Sequence, residues 1–505
     1  MKYLVGAISG LLLVLSFPPI DLYPLAWAAL VPFILVIHRL PPKEAFKAGF
    51  FMGIVYFFGT TYWIYHSMHE YGGMGLVLSV LIVLALAAYL ALYPAVFACI
   101  FSARMKRSRM PAVLLAPALW VSLEYLRSYL FTGFPWSTLG YSQWKFLSFI
   151  QVADITGVYG LSFLVLGVNA AIADFFILKR RVREMPLFPT SYTVLGLMLF
   201  MLGVIFVFSY GFIRLNEKAP GVPLKASVVQ GNIDQGKKWD ARYQKEVFDI
   251  HRKLTAGALV ESPELVVWPE SSLPWPLDER DIRVDLLRDF EAASRTPFII
   301  GAIREKGKDT GAYANSAALL EAGNIPYIYD KIHLVPFGEY IPMERVLFFV
   351  DKLSDAIGRY EPGSEYRRGV IKQGEFAALI CYEIVFPGLV RKFFRDGGDF
   401  IVTITNDAWF SGTSGPYQHW SMAALRAVEN RKPVIRAANT GISGFFSSKG
   451  EVIKQTDLFE RKTLTAEIIT DPRTTIYSRF GDLFAYICIL ISLFTIIFSH
   501  DKKGL

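Results

Sequence analysis

The sequence predicts two architectures in one chain: an α-helical membrane domain of about eight transmembrane helices, and an α/β layered domain of about 250 residues inserted before the last of them. Three observations lead there. Of 505 residues, 53% are hydrophobic, 15% aromatic and only 19% charged, against about 25% charged in an average soluble domain. Apolar runs long enough, or nearly so, to cross a bilayer recur along the first 213 residues and again close to residue 499. Between them, strand-like and helix-like segments alternate over roughly 220–475, a length that can bury its own core.

The apolar runs fall at about 3–19, 24–38, 48–65, 74–103, 112–131, 160–178, 191–213 and 483–499. The first has Lys2 and then an apolar stretch, like a signal peptide. It lacks a small-residue cleavage site and further spans follow closely, so it reads as retained. Basic residues then set the orientation. Lys2 precedes the first run; Arg39, Lys43 and Lys47 lie between the second and third; Arg104, Lys106, Arg107 and Arg109 follow the fourth. Lys179, Arg180, Arg181 and Arg183 follow the sixth, and Lys502 and Lys503 close the chain. The alternate loops, DLYP at 21–24 and HSMHEYGG at 66–73, have no Lys or Arg, and 128–159 has only Lys145. By the positive-inside rule both termini are cytoplasmic, and the block after the seventh span lies across the membrane from them. The net charge of +8 is thus spent on orientation and implies no nucleic-acid partner.

The expected organisation is helices 1–7 over 1–215, a soluble α/β block over 220–475, helix 8 over 483–499 and a cytoplasmic tail over 500–505. Expected strands are 225–233, 264–270, 297–303, 316–321, 376–383 and 399–407; expected helices run near 240–260, 281–295, 387–396 and 418–431. No internal repeat, phosphate-binding glycine loop or zinc spacing appears.

Three cysteines give no disulfide framework. Cys99 and Cys488 fall within apolar runs, so Cys381 is the one cysteine outside a span and a free thiol. Buried cysteine is often no more than a small hydrophobe. Here, however, AALICYEIVFP ends a strand at Cys381, and Pro387 suits the first turn of a following helix. A helix N-terminus near the thiol would lower its pKa. A nucleophile also needs a base and an oxyanion partner. Glu270 ends the strand in LVVWPESS, and Lys331 sits among apolar and aromatic residues in YDKIHLVPFGEYIP. Taken singly, these are an ordinary surface carboxylate and a snorkelling lysine.

Together, WPES, DKIHLVPFGEY and ICYE, in that order within an α/β block, resemble the nitrilase superfamily with its Glu-Lys-Cys triad and αββα sandwich. VVQGNI, TNDAWFSGTSGPYQHW and RAVENRKPVIRAANTGISGFFSSKGEV agree with it. With the membrane spans and the aromatic loop TGFPWSTLGYSQW (132–144), the whole chain resembles the apolipoprotein N-acyltransferase family. The resemblance implies that Cys381 is the nucleophile, Glu270 the general base and Lys331 the oxyanion stabiliser. It implies that Glu339 and Glu383 hold the lysine and assist proton movement, that Tyr382 follows the nucleophile, that Asn315 lies near the pocket and that Trp239 binds substrate. Neither cofactor nor metal is implied. The implied reaction moves an acyl chain from phospholipid, through a Cys381 thioester, to the α-amino group of a diacylglyceryl cysteine at a lipoprotein N-terminus. The partners are therefore phospholipid, diacylated lipoprotein and membrane, with the protein acting as a monomer in a bacterial inner membrane and its catalytic domain facing the periplasm.

Two further readings compete: a membrane-tethered amidase or hydrolase that passes the acyl group to water, and a receptor retaining a catalytically silent domain. The triad alone does not separate transfer from hydrolysis. The membrane half favours transfer, because a soluble amide needs no lipid access. VLFFVDKL (346–353) and DAWFSG (407–412) are expected to dip into the lipid interface, and Gly358 and Gly363 around RYEP suggest a mobile arm over 346–366. HSMHE lacks further ligands nearby for a metal. His333 and His419 are not needed as bases, and Glu124 and Arg127 are placed to pair on one helix face.

Overall fold

The computed structural model describes residues 1–107, 111–184, 191–238, 240–278, 280–306, 311–342 and 360–498. Most of the expected arm, including all of 346–353, lies outside the described residues. The chain forms two units, one of Met1–Tyr65, Leu76–Asn216 and Phe480–Leu505, the other of His66–Gly75 and Glu217–Arg479.

In the first unit every apolar run contains a helix: Lys2–Leu15, Val31–Ile37, Pro42–Thr61, Leu76–Arg107, Ala112–Tyr129, Val158–Glu184, Ser191–Asn216 and Leu483–Phe498. Among the described residues, three helical stretches are long and apolar enough to cross a membrane: Leu76–Met105, Val158–Ile177 and Val194–Asn216. Glycine lets two of the helices meet. A Cβ on Gly49 would lie 2.4 Å from the Pro94 carbonyl oxygen, and one on Gly53 would lie 2.7 Å from Ala91 Cα. This is the small-xxx-small logic of helix contact in lipid. Asp174 takes up two amides at the start of the helix from Ala112, from Ala112 N at 2.9 Å and Val113 N at 2.8 Å.

Glu124 and Arg127 form no ion pair with each other. Glu124 Oε1 accepts from Leu139 N at 2.8 Å, while Arg127 donates to the Trp136 carbonyl at 2.5 Å and to Thr138 Oγ1 at 3.2 Å. Both side chains instead secure the aromatic loop, whose backbone groups would otherwise be buried without partners.

The loop 66–75, which in sequence separates two apolar helices, belongs to the second unit. Its HSMHE stretch is a helical turn, with Ser67 Oγ donating to the Trp409 carbonyl at 2.6 Å and Tyr71 edge-on to Trp409 at 5.1 Å. His69 Nδ1 bonds the Met74 carbonyl at 2.8 Å.

The second unit holds two six-stranded sheets. The strands are β1 (Pro223–Gln230), β2 (Leu265–Val267), β3 (Phe298–Glu305), β4 (Tyr313–Glu321), β5 (Asn324–Asp330), β6 (Gly369–Ile371), β7 (Gly374–Ile380), β8 (Phe400–Thr405), β9 (Val434–Ala438), β10 (Gly444–Phe446), β11 (Val452–Gln455) and β12 (Lys462–Ile469). The first sheet runs β12-β1-β2-β3-β4-β5 and the second β6-β7-β8-β9-β10-β11. Both follow the same sequence of joints: antiparallel, parallel, parallel, antiparallel, antiparallel. No repeat in the sequence announces this shared wiring.

The sheets meet through β1 against β9 and β4 against β7. Strands β8 and β9 are buried at every residue, which requires cover on both faces and takes Thr403, Thr405 and Arg436 inside with their apolar neighbours. On the outer side of the first sheet, Trp268, Phe298 and Ile300 pack with Phe248 of helix Gln244–Leu259 and with Val284 and Leu287 of helix Ile282–Ser294. Helix Gly415–Asn430 is buried along nearly its whole length. The expected helix at 387–396 divides into a short α-turn, Pro387–Val390, and a 3-10 turn, Arg391–Phe394.

Candidate active site

The site is assembled at strand ends. Strand β2 stops after three residues, because Pro269 offers no amide to the ladder and Ser271 turns to φ +48°. Glu270 stands at this break. Gly301 of β3 makes room for it: a Cβ there would lie 2.4 Å from the Pro269 carbonyl oxygen and 2.6 Å from Glu270 Cα. Lys331 follows the last residue of β5, its amide held by the Asn315 carbonyl at 2.8 Å. Cys381 follows β7 at φ +52° and opens a 3-10 turn over Cys381–Val385.

Glu270, Lys331, Glu339 and Asn315 form one buried network. Lys331 Nζ lies 2.9 Å from Glu339 Oε2 and 3.7 Å from Glu270 Oε1. Asn315 Nδ2 donates to both carboxylates, at 2.7 Å to Glu270 Oε1 and 2.9 Å to Glu339 Oε1. The second oxygen of Glu270 accepts from Asn406 N at 2.8 Å, and that of Glu339 from Val335 N at 2.8 Å. Burial opposes the charge on Lys331, but Glu339 and Glu270 outweigh it and hold the ammonium well above the ordinary lysine range.

The thiol departs from expectation. Burial, and then the Glu270 carboxylate, push Cys381 up from the usual thiol range, outweighing the pull of Lys331. The residue sits in its own tight turn, separated from helix Pro387–Val390, so no helix N-terminus offsets the loss of water. Cys381 is therefore a protonated thiol beside a carboxylate, which is the arrangement that calls for a base.

Glu383 does not reach the lysine ammonium. It is wholly buried and accepts four hydrogen bonds: Tyr329 Oη at 2.6 Å, Ile332 N at 2.7 Å, His333 N at 3.2 Å and Ile380 N at 2.8 Å. It ties the backbone after Lys331 to the backbone before Cys381. Burial raises its pKa, and the donors pull against that rise. Tyr382 is half-buried against His333 and Phe386. Burial and the charge of Lys331 push His333 down to about 4, so its ring is neutral. Trp239 lies outside the described residues.

Several residues here were not singled out from sequence. Lys238 is buried with Nζ donating to the Glu270 carbonyl at 2.9 Å. Burial brings its pKa down to about 8. Asn406 presents its amide to Glu270, and its neighbour Asp407 is buried, while Trp409 and Phe410 of DAWFSG are half-buried. Asp407 bonds Thr405 Oγ1, His419 Nδ1 and Arg436 Nη2 at 2.9, 3.0 and 2.8 Å. No local pattern marks them, because each acts through a strand-end or helix placement that only the sheet order sets.

The domain of two sheets with helices packed on them, carrying Glu270, Lys331 and Cys381 at strand ends, matches the family model of a carbon-nitrogen hydrolase over residues 225–474. A second model, the apolipoprotein N-acyltransferase N-terminal domain, matches residues 9–171. The chain is 41% identical over 492 residues to the apolipoprotein N-acyltransferase of Geobacter metallireducens, covering 96% of this chain and 93% of that one. It is 34% identical over 498 residues to the Pasteurella multocida protein of the same name (96% and 92% covered) and 33% over 501 to that of Haemophilus influenzae (97% and 93%). The chain belongs to the apolipoprotein N-acyltransferase family.

Proposed function

We propose that the chain transfers an acyl group from phospholipid to the N-terminal amine of a diacylated lipoprotein in two displacement steps at Cys381. Glu270 takes the Cys381 proton as sulfur attacks the ester carbonyl, and Lys331 meets the oxyanion that forms. Collapse expels the lysophospholipid alkoxide, which leaves with the proton from Glu270, and a thioester remains. The acceptor amine then attacks the thioester and gives a proton to Glu270. The departing thiolate recovers that proton, the amide is released and the thiol is restored.

The observation that carries this reading is the shared hydrogen bonding of Glu270 and Glu339 around one buried ammonium. It supports a charged lysine and a carboxylate base near a thiol whose pKa burial raises. Glu339 holds the ammonium, Asn315 spaces the two carboxylates, Glu383 holds the backbone on either side, and Tyr382 and Trp239 contribute to the substrate pocket. We further propose that the apolar helices form eight membrane spans, with both termini cytoplasmic, the catalytic domain in the periplasm and a monomer in the inner membrane. The alternation of Lys- and Arg-rich with Lys- and Arg-poor loops supports that topology.

The test is the intact mass of the Cys381 peptide after incubation with phospholipid alone. The expected result is a hydroxylamine-labile acyl adduct, absent from Cys381→Ala and discharged to an amide by a diacylated cysteinyl peptide. Discharge as free fatty acid in the presence of that acceptor would make the protein a hydrolase, and no adduct with any phospholipid would end the proposal.

A further inference from the structure

Beneath the nucleophile lies a second polar cluster that the acyl-transfer steps do not use. Cys381 holds a left-handed backbone, φ +52°, which L side chains disfavour because of the Cβ. Something must hold it there. Its carbonyl oxygen lies 3.1 Å from His419 Nε2. A carbonyl only accepts, so that nitrogen carries the hydrogen. The opposite ring nitrogen, Nδ1, lies 3.0 Å from both Asp407 Oδ1 and Arg436 Nη2. Arg436 also donates to Asp407 Oδ2 at 2.8 Å and, through Nε, to the Ile442 carbonyl at 3.2 Å. All three side chains are at most 1% exposed. Burial opposes charge on Asp407, yet Arg436 and His419 hold its carboxyl at about 2. Room for that carboxylate is provided by Gly441, where a Cβ would lie 2.3 Å from Asp407 Oδ2.

We propose that His419 is a positioning residue of the reaction: it holds the Cys381 carbonyl, and through it the left-handed turn that presents the thiol. The ring is set by Asp407 and Arg436 on one side and gives its Nε2–H to the nucleophile's own peptide on the other. Because a peptide is planar, fixing that carbonyl also fixes the Tyr382 N–H, which points the opposite way from the first turn of a 3-10 helix where no internal acceptor reaches it. Asn406, the residue before Asp407, gives its amide to Glu270. One dipeptide at the end of β8 thus steadies the base and, through His419, the nucleophile.

The inference rests on the acyl-transfer reading for its meaning, but its test does not. Two rates are measured on the full chain: alkylation of Cys381 by iodoacetamide, and single-turnover acylation by phosphatidylethanolamine in detergent micelles. His419→Met is expected to slow both by about 10- to 100-fold, the range for a nucleophile moved out of line. The phospholipid concentration for half-saturation stays unchanged. His419→Gln, whose Nε2 can reproduce the donor to the carbonyl, is expected to recover both rates to within about 3-fold. His419→Asn, too short to reach, is not. A His419→Met protein alkylated at the parent rate would overturn the inference. Should His419→Met fail to fold, the Gln and Asn variants decide it: equal rates at matched thermal stability would also overturn it. Absence of an acyl adduct in the unaltered protein would remove the acyl-transfer reading, while the alkylation rates would still score His419.

Discussion

Lys331 Nζ sits 2.9 Å from Glu339 Oε2 and 3.7 Å from Glu270 Oε1, so one ammonium lies between two buried carboxylates that share an asparagine donor. Removing one member of such a set leaves uncompensated charge in a dry site, at a cost of about 3–5 kcal/mol. Lys331→Met is therefore expected to lower thermal and denaturant stability by that amount as well as abolish activity. Adding Glu339→Gln should recover much of the stability and none of the activity. A Lys331→Met protein that melts with the parent would show that the ammonium does not compensate these carboxylates.

The raised Cys381 thiol gives Glu270 a test in which two effects oppose each other. The Glu270 charge is one cause of the high thiol pKa, so Glu270→Gln increases the fraction of thiolate. If free thiolate were the nucleophile, alkylation would speed up. If Glu270 takes the proton as sulfur attacks, alkylation slows by about 10²- to 10⁴-fold, the usual worth of a general base. We expect slowing, measured as the iodoacetamide rate at neutral pH.

Asn315 donates to both carboxylates through one amide nitrogen. Asn315→Asp replaces that donor with a third acid. Like charges packed together raise one another's pKa. The acid limb of the kcat/KM profile should move upward in pH, with activity near neutrality reduced. An unmoved limb would mean that Asn315 does not set the charge of the base.

Gly301 carries no catalytic group, yet Gly301→Ala is expected to cost about 1–3 kcal/mol by overpacking against residues 269–271. It should also cost about 10²-fold in turnover, because the displaced residue is Glu270. Turnover by the folded variant at the parent level would show that the carboxylate tolerates the shift.

Lys238 predicts a dependence of stability on pH. Burial lowers its folded pKa from 10.5 to about 8. Between those values the unfolded chain binds more proton than the folded one, so stability rises with pH across that window. The full gain is about 3 kcal/mol at about 1.4 kcal/mol per pH unit. Lys238→Met should flatten the rise, read as melting temperature from pH 7.5 to 10. An equal slope in both proteins would place the titration elsewhere.

Sequence made some of this legible. Glu270 and Cys381 stand in short quotable segments at strand ends, because strands with continuous apolar runs announce where they stop; Lys331 was legible only from its own segment, DKIHLVPFGEY. β5, with Pro326 and alternating exposure, and the short strands after Val434 were not anticipated, since none offers the long apolar run that marks a buried strand. The sign of the Cys381 shift also escaped, because a nearby helix start in sequence says nothing about how much water burial removes. Asp407, His419 and Arg436 lie in a strand-end turn, a helix and a strand; only the order of β8 and β9 brings them together. Glu383 looked like a proton carrier by its place after Cys381, whereas its contacts make it a backbone clamp.

The shared wiring of the two sheets divides the chemistry. Glu270, Asn315, Lys331 and Glu339 come before β6, while Cys381, Glu383 and Asn406 come after it. Neither stretch closes its sheet alone, because β12, which pairs with β1, follows β6 in the chain; the first stretch holds the carboxylates and the lysine, and the second holds the thiol. The reacting set exists only as a joint property of both. Two co-expressed pieces divided between β5 and β6 should therefore be silent apart and regain Cys381 reactivity together, which makes mutual fit of the halves, rather than either fold alone, the condition for an armed nucleophile.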